Sequence, residues 1–161
     1  MSLPLAFFFT WTPYGTWLPG DARGWVDKHD SGFHEPDPRR VAAARKAMTE
    51  TAVSLTPEAR AAVDAAIRRT CGYRGWTIHA MDVRAKHVHV VVSAGDIEPG
   101  RALGALKAYA TRELNALYPS PRRQHWWTED GSKRRLYTVE ALNAGIQYVL
   151  TQDVSWMKHI K

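Results

Sequence analysis

Residues Lys86 to Val92 read KHVHVVV, two imidazoles one position apart in a run of valines. Side chains alternate along a β-strand, so His87 and His89 share one face while Val88, Val90 and Val92 point to the other. Two positions along a strand span about 7 Å, close enough for both imidazoles to converge on one ion. Two nitrogen donors hold a divalent cation weakly, so a third donor is expected. Taken alone, the spacing suits two structural histidines equally well.

The segment YVLTQ, Tyr148 to Gln152, offers that donor. Positions i and i+4 lie on one face of a helix. If that face meets the histidine face, Gln152 brings a carbonyl oxygen and Tyr148 a phenol beside it. Without such a meeting, Tyr148 is a packing residue and Gln152 a solvated one. Tyr109, in LKAYATRELN, is the rival phenol. It sits beside Lys107 and Arg112, and its i+4 neighbour is Glu113, with no carboxamide. His79 or His125 would add a third nitrogen and make a zinc hydrolase the alternative, since zinc favours nitrogen-rich sites.

The elements that must position these groups can be read in order. Leu5–Thr12, aromatic and β-favouring, predicts a first strand. Pro13 to Pro38 is rich in turn residues and predicts a long loop. Residues 39–53 predict a helix, with Val41, Ala44, Met48 and Ala52 on one side. Thr56, Pro57 and Glu58 announce a second helix as cap, first position and first-turn acid, and Gly72 is expected to end it. Trp76–Arg84 and His87–Ala94 predict two strands joined as a hairpin. Pro99 opens a helix carrying Leu103, Leu106, Ala110, Leu114 and Leu117, and Pro119 and Pro121 close it. After a possible short strand, Thr138 caps a last helix running to about Gln152. A hairpin beside helices implies an α+β chain, a two-layer sandwich of an antiparallel sheet with helices packed on it. With 161 residues and no linker, a single domain over 1–161 is expected.

Charge points to a partner. The net charge is +6, and residues 101–135 hold eight Lys/Arg against three acids. Arg122, Arg123, Lys133, Arg134 and Arg135 flank Trp126 and Trp127 there. Cations beside indoles suit phosphates and stacked bases; the same pattern also describes a solvated basic face over two core tryptophans. One cysteine, Cys71, excludes an internal disulfide framework and a cysteine-based zinc cluster. The apolar run Leu3–Phe9 is too short to span a bilayer and lacks the flanks of a secretion signal. The expectation is a cytoplasmic protein with no membrane partner, associated with the nucleoid when bound to DNA.

His87-Val88-His89, followed much later by Tyr148 and Gln152 four residues apart, resembles the signature of the single-tyrosine transposases of the HUH nuclease superfamily. These include the IS200-like and REP-associated tyrosine transposases. The blocks TWTPYGTWLPGDARGW, RGWTIHAMDVRAKHVHVVVSA, LKAYATRELN and GSKRRLY are similar to one branch of that family, so the resemblance covers nearly the whole chain. It departs at Lys86, where many relatives carry Asn, and in GSKRRLY, which is more basic than the GSTRYLW of the branch. The resemblance implies a ferredoxin-like or RRM-like HUH fold. It implies Mg²⁺ or Mn²⁺ held by His87, His89 and Gln152, and Tyr148 as the nucleophile that cleaves and rejoins single-stranded DNA through a 5′-phosphotyrosine. It further implies a hairpin-containing DNA partner, a homodimer, and backbone contacts from Lys86 and the basic segment. A domesticated regulator that binds DNA without cleaving it would keep the basic surface and have no use for Tyr148.

Overall fold

The computed structural model describes residues 2–16 and 35–151, together with the backbone of 25–26 and 33–34. The elements are β1 (Ala6–Trp11), β2 (Trp25–Val26), β3 (Phe33–His34), α1 (Pro38–Ala47), α2 (Pro57–Arg74), β4 (Thr77–Val83), β5 (Val88–Ser93), α3 (Pro99–Leu117), β6 (Ser132–Leu136) and α4 (Val139–Thr151). β2 and β3 form a separate two-stranded ribbon.

The other four strands make one antiparallel sheet in the order β4-β5-β1-β6. With α2 and α3 as the two crossovers, this is the split βαβ arrangement of ferredoxin-like domains. β1 is central, so both its faces are covered. Phe7, Phe9 and Trp11 join Val88, Val90 and Val92 against Val63 and Ile67 of α2 and Leu103, Leu106 and Leu114 of α3. Ala6 and Phe8 face the other way, with Val91, Leu136 and Val149 of α4. The α+β sandwich expected from the sequence is therefore present. α4 lies across the face that α2 and α3 leave open.

Helix starts follow local capping chemistry. Asp37 Oδ1 accepts from the Arg39 and Arg40 amides, Thr56 Oγ1 from Ala59, Glu98 from Arg101 and Thr138 Oγ1 from Ala141. Two predicted ends need correction. α1 stops at Ala47 and buries no residue, where the sequence pattern extended it to residue 53. Val53 and Leu55 instead alternate into the core, and their amides are taken by Tyr14 O at 2.8 Å and Ala85 O at 2.9 Å. Burying two aliphatic side chains outweighs one more turn of a helix that fully buries none of its own. α2 runs past Gly72 to Arg74, because Gly75 (φ +71°) takes the left-handed closing conformation that a Cβ disfavours.

Candidate active site

The hairpin of β4 and β5 is closed by the Arg84 amide donating to His87 O at 2.8 Å. His87 sits just ahead of β5, half-buried, and His89 lies within it, 5% exposed. Their rings are 4.6 Å apart between centroids, so strand alternation does place both imidazoles on one face. Across the sheet, His89 pairs with Asp82 on β4 and with Thr10 on β1. Its Nδ1 lies 2.8 Å from Thr10 Oγ1. Burial first, and then the neighbouring His87, hold the His89 pKa down to about 4; Asp82 opposes this and Arg84 adds to it. Asp82 is itself paired with Arg84 at 2.8 Å. His89 is therefore neutral at physiological pH, the form in which imidazole ligates metals.

α4 brings Tyr148 to this face. The phenol ring stands 5.3 Å from the His89 ring, nearly perpendicular to it, and 5.7 Å from Phe8. Phe8 in turn meets His89 edge to face at 5.8 Å. The close approach of the helix depends on Gly145, three residues before Tyr148 and so on the same face. A Cβ there would come within 3.2 Å of Phe8 Cδ2 and 3.3 Å of Leu136 Cδ1. His87, His89 and Tyr148, 59 or more residues apart between strand and helix, thus share one site. Gln152 lies outside the described residues.

Other predicted residues go elsewhere. Tyr109 is on α3, behind the sheet from the histidines, where Arg112 sits 5.6 Å from its ring. His79 bonds Ser93 Oγ at 2.7 Å and His125 bonds Glu50 Oε1 at 3.0 Å. Among the described residues no group of three His, Cys, Asp or Glu is placed to hold a metal, and neither His79 nor His125, the nitrogens that the zinc-hydrolase alternative names, joins the pair. The donor set that is described, two adjacent imidazoles of which one is held neutral, fits part of a divalent-cation shell with positions left for oxygen donors.

The basic segment needs the larger correction. Trp126 and Trp127 are 7% and 8% exposed, so neither presents a face to a base. The indole N–H of Trp126 donates to Asn115 Oδ1 at 2.9 Å and that of Trp127 to Thr111 Oγ1 at 3.0 Å. Satisfied indoles are what a core tolerates. Arg123 is drawn into the fold as well, donating to Thr51 O at 2.6 Å and lying over Tyr14 and Trp126. Lys107 is partly buried, donates to Thr128 O and Asp130 O, and has its pKa lowered chiefly by that burial.

Within β6, register sorts the cations. Arg134 pairs with Phe8 and so faces the histidine side; Lys133 and Arg135 pair with Phe9 and Phe7 and face the α3 side. Lys133 there meets Asp130. Lys86 and Arg122 are exposed. Lys86 lines an open groove of about 760 Å³ with Arg45, Thr49 and Glu50.

Two positions that the sequence did not single out matter to this geometry, Thr10 and Gly145. A lone hydroxyl in FFFTWT and a glycine inside a helical pattern were the available signals. Neither reveals its neighbour until the strands are paired.

None of the described helices is long and apolar enough to cross a membrane. No curated protein matches the chain. Its fold is similar to that of a solved structure described as a REP-associated tyrosine transposase bound to a REP hairpin, with a TM-score of 0.56 at 13% identity, covering 99% of this chain and 70% of that one. A protein assigned as a transposase from Deinococcus radiodurans R1 aligns at 16% identity with a TM-score of 0.49, covering 94% of this chain and 92% of that one. At 13% identity the first of these likenesses speaks to fold alone. The sequence itself matches the family described as "Transposase IS200 like" over residues 47–141, a span that contains both histidines and ends before Tyr148. That match covers more than half of the chain, which therefore belongs to the IS200-like transposase family.

Proposed function

We propose that this transposase cleaves and rejoins single-stranded DNA through Tyr148, at a site built with His87 and His89. The observation that carries the reading is the phenol of α4 standing 5.3 Å from His89, whose ring is 4.6 Å from that of His87. Tyr148 Oη loses its proton and attacks the phosphorus. The Tyr–O–P bond forms, the bond from phosphorus to the 3′ oxygen breaks, and that oxygen takes up a proton and leaves as a 3′-hydroxyl. The result is a 5′-phosphotyrosine. Attack by the same or another 3′-hydroxyl reverses the step and frees Tyr148, so strand transfer needs no nucleotide hydrolysis. His87 and His89, with Gln152 as the expected further donor, would hold Mg²⁺ or Mn²⁺, which supplies charge neutralisation on the phosphodiester. Phe8 and the partly buried seat of Tyr148 limit the access of water, the competing nucleophile.

Arg134, on the same face, is the cation of β6 best placed to meet the DNA backbone of the bound strand. Lys86 and Arg122 add exposed charge that is expected to hold phosphates. The relative solved with a REP hairpin makes hairpin-bearing single-stranded DNA the substrate to try first. A homodimer belongs to this reading, and sedimentation of the purified chain tests it.

The direct test is a denaturing gel of protein incubated with hairpin-bearing single-stranded DNA and Mn²⁺. A covalent protein–DNA adduct is expected from the natural chain and from Tyr109→Phe, and none from Tyr148→Phe. An adduct that survives Tyr148→Phe refutes the assignment.

A further inference from the structure

The histidine face holds one polar contact that the chemistry above does not use, that of Thr10 Oγ1 with His89 Nδ1 at 2.8 Å. Thr10 sits on the central strand, paired directly with His89 on one side and with Ser132 on the other. Its backbone is held close by the next turn: a Cβ on Gly131 would fall 2.7 Å from Thr10 O. The hydroxyl is therefore mounted on a strand that is paired on both sides. The His89 ring is bounded on its other sides by Phe8, perpendicular at 5.8 Å, and Tyr148, at 82° and 5.3 Å. Aromatic edges fix the plane of an imidazole and do not choose between its two nitrogens. A hydrogen bond at Nδ1 ties the tautomer to the role its partner takes, because a neutral imidazole carries one proton and one lone pair.

We propose that Thr10 is a positioning residue that holds His89 in its Nδ1–H form by accepting that proton's hydrogen bond. The Nε2 lone pair is thereby presented to the space shared with His87 and Tyr148. A hydroxyl can accept as well as donate. The accepting role is the one compatible with a ligand at Nε2, since a metal-ligating histidine donates its other N–H to a neighbouring acceptor. Thr10 would then act before any cation arrives, pre-paying the cost of ordering the ring. This inference rests on the proposed function for its purpose, and its test does not require cleavage.

The test is ¹⁵N-detected NMR of the imidazoles in metal-free protein at pH 7.5, followed by calorimetric titration with Mn²⁺. His89 is expected as the Nδ1–H tautomer in the natural chain. Thr10→Val, which keeps the shape and removes the oxygen, should shift His89 toward Nε2–H and weaken Mn²⁺ binding by roughly 10- to 100-fold. Thr10→Ser should restore both. An Nε2–H tautomer in the natural chain overturns the proposal whatever the variants do, so misfolding of Thr10→Val cannot shelter it. A Mn²⁺ affinity unchanged within about twofold in a folded Thr10→Val overturns it as well. Absence of a Tyr148 adduct in the gel assay would instead count against the proposed function, leaving the tautomer result to be judged separately.

Discussion

Replacing Gly145 by alanine tests the seat of α4, on which the whole site depends. Two effects of known size oppose each other. Alanine inside a helix is favoured over glycine by about 1 kcal/mol. The added methyl would stand 3.2 Å from Phe8 Cδ2 and 3.3 Å from Leu136 Cδ1, inside the roughly 3.5–4.0 Å at which carbon atoms pack best. Relief requires the helix to lift or the ring to turn, and overpacking of this kind costs about 1–3 kcal/mol. The net expectation for Gly145→Ala runs from neutral to a loss of about 2 kcal/mol. Gly104, in α3, provides the control, since nothing lies within 4 Å of a Cβ built there. Gly104→Ala should therefore gain the full propensity, about 1 kcal/mol. The two variants should differ by about 1–3 kcal/mol, read as midpoints in urea unfolding separated by about 0.5–1.5 M for a slope near 2 kcal/mol per molar. Activity gives a second reading. Tyr148 is one turn from Gly145, and a displacement of about 1 Å at a reacting group can cost about 100-fold in rate. Adduct formation should fall in Gly145→Ala and hold in Gly104→Ala. If Gly145→Ala is as stabilising as Gly104→Ala and forms adduct at full rate, α4 does not rest on Phe8 and Leu136, and the site as described is wrong.

Other predictions follow from the same contacts. In chelator, the folded His89 pKa of about 4 lies below the value near 6.5 in the unfolded chain. Between those values the unfolded state binds the extra proton, so this contribution is present above about pH 6.5 and lost as pH falls toward 4. The loss is on the order of 3 kcal/mol, and the slope should be absent in His89→Gln; an equal slope in both refutes the burial argument. Trp126→Ala should destabilise the fold by about 3–5 kcal/mol in urea, where a base-stacking surface residue would change DNA affinity and leave stability alone. Arg134→Ala should weaken binding of hairpin-bearing single strands and reduce the salt dependence of that binding by about one phosphate contact. Arg135→Ala, on the opposite face, should do less, and equal effects would refute the assignment of faces.

Much of this architecture is written locally. Thr56-Pro57, Glu98-Pro99 and Thr138 start their helices because caps act within one turn, and the extended segment entering β5 presents His87 and His89 together because side chains alternate along it. The chain could therefore declare its histidine pair, its tyrosine and the helix that carries it. The extent of α1 was misread because Val53 and Leu55 are held by distant strands and loops, and long-range burial overrides a weak helical pattern. Trp126 and Trp127 looked like stacking platforms beside cations, and only the packing of α3 against them shows partners for both indoles. The run Lys133-Arg134-Arg135 alternates faces in any register, yet pairing with β1 alone decides which cation shares the histidine side. The meeting of Tyr148 with His89, the clearance at Gly145 and the contact of Thr10 with Nδ1 belong to the same class. Sequence sets what each segment prefers by itself, and distances between segments exist only once the sheet has closed and its faces are filled.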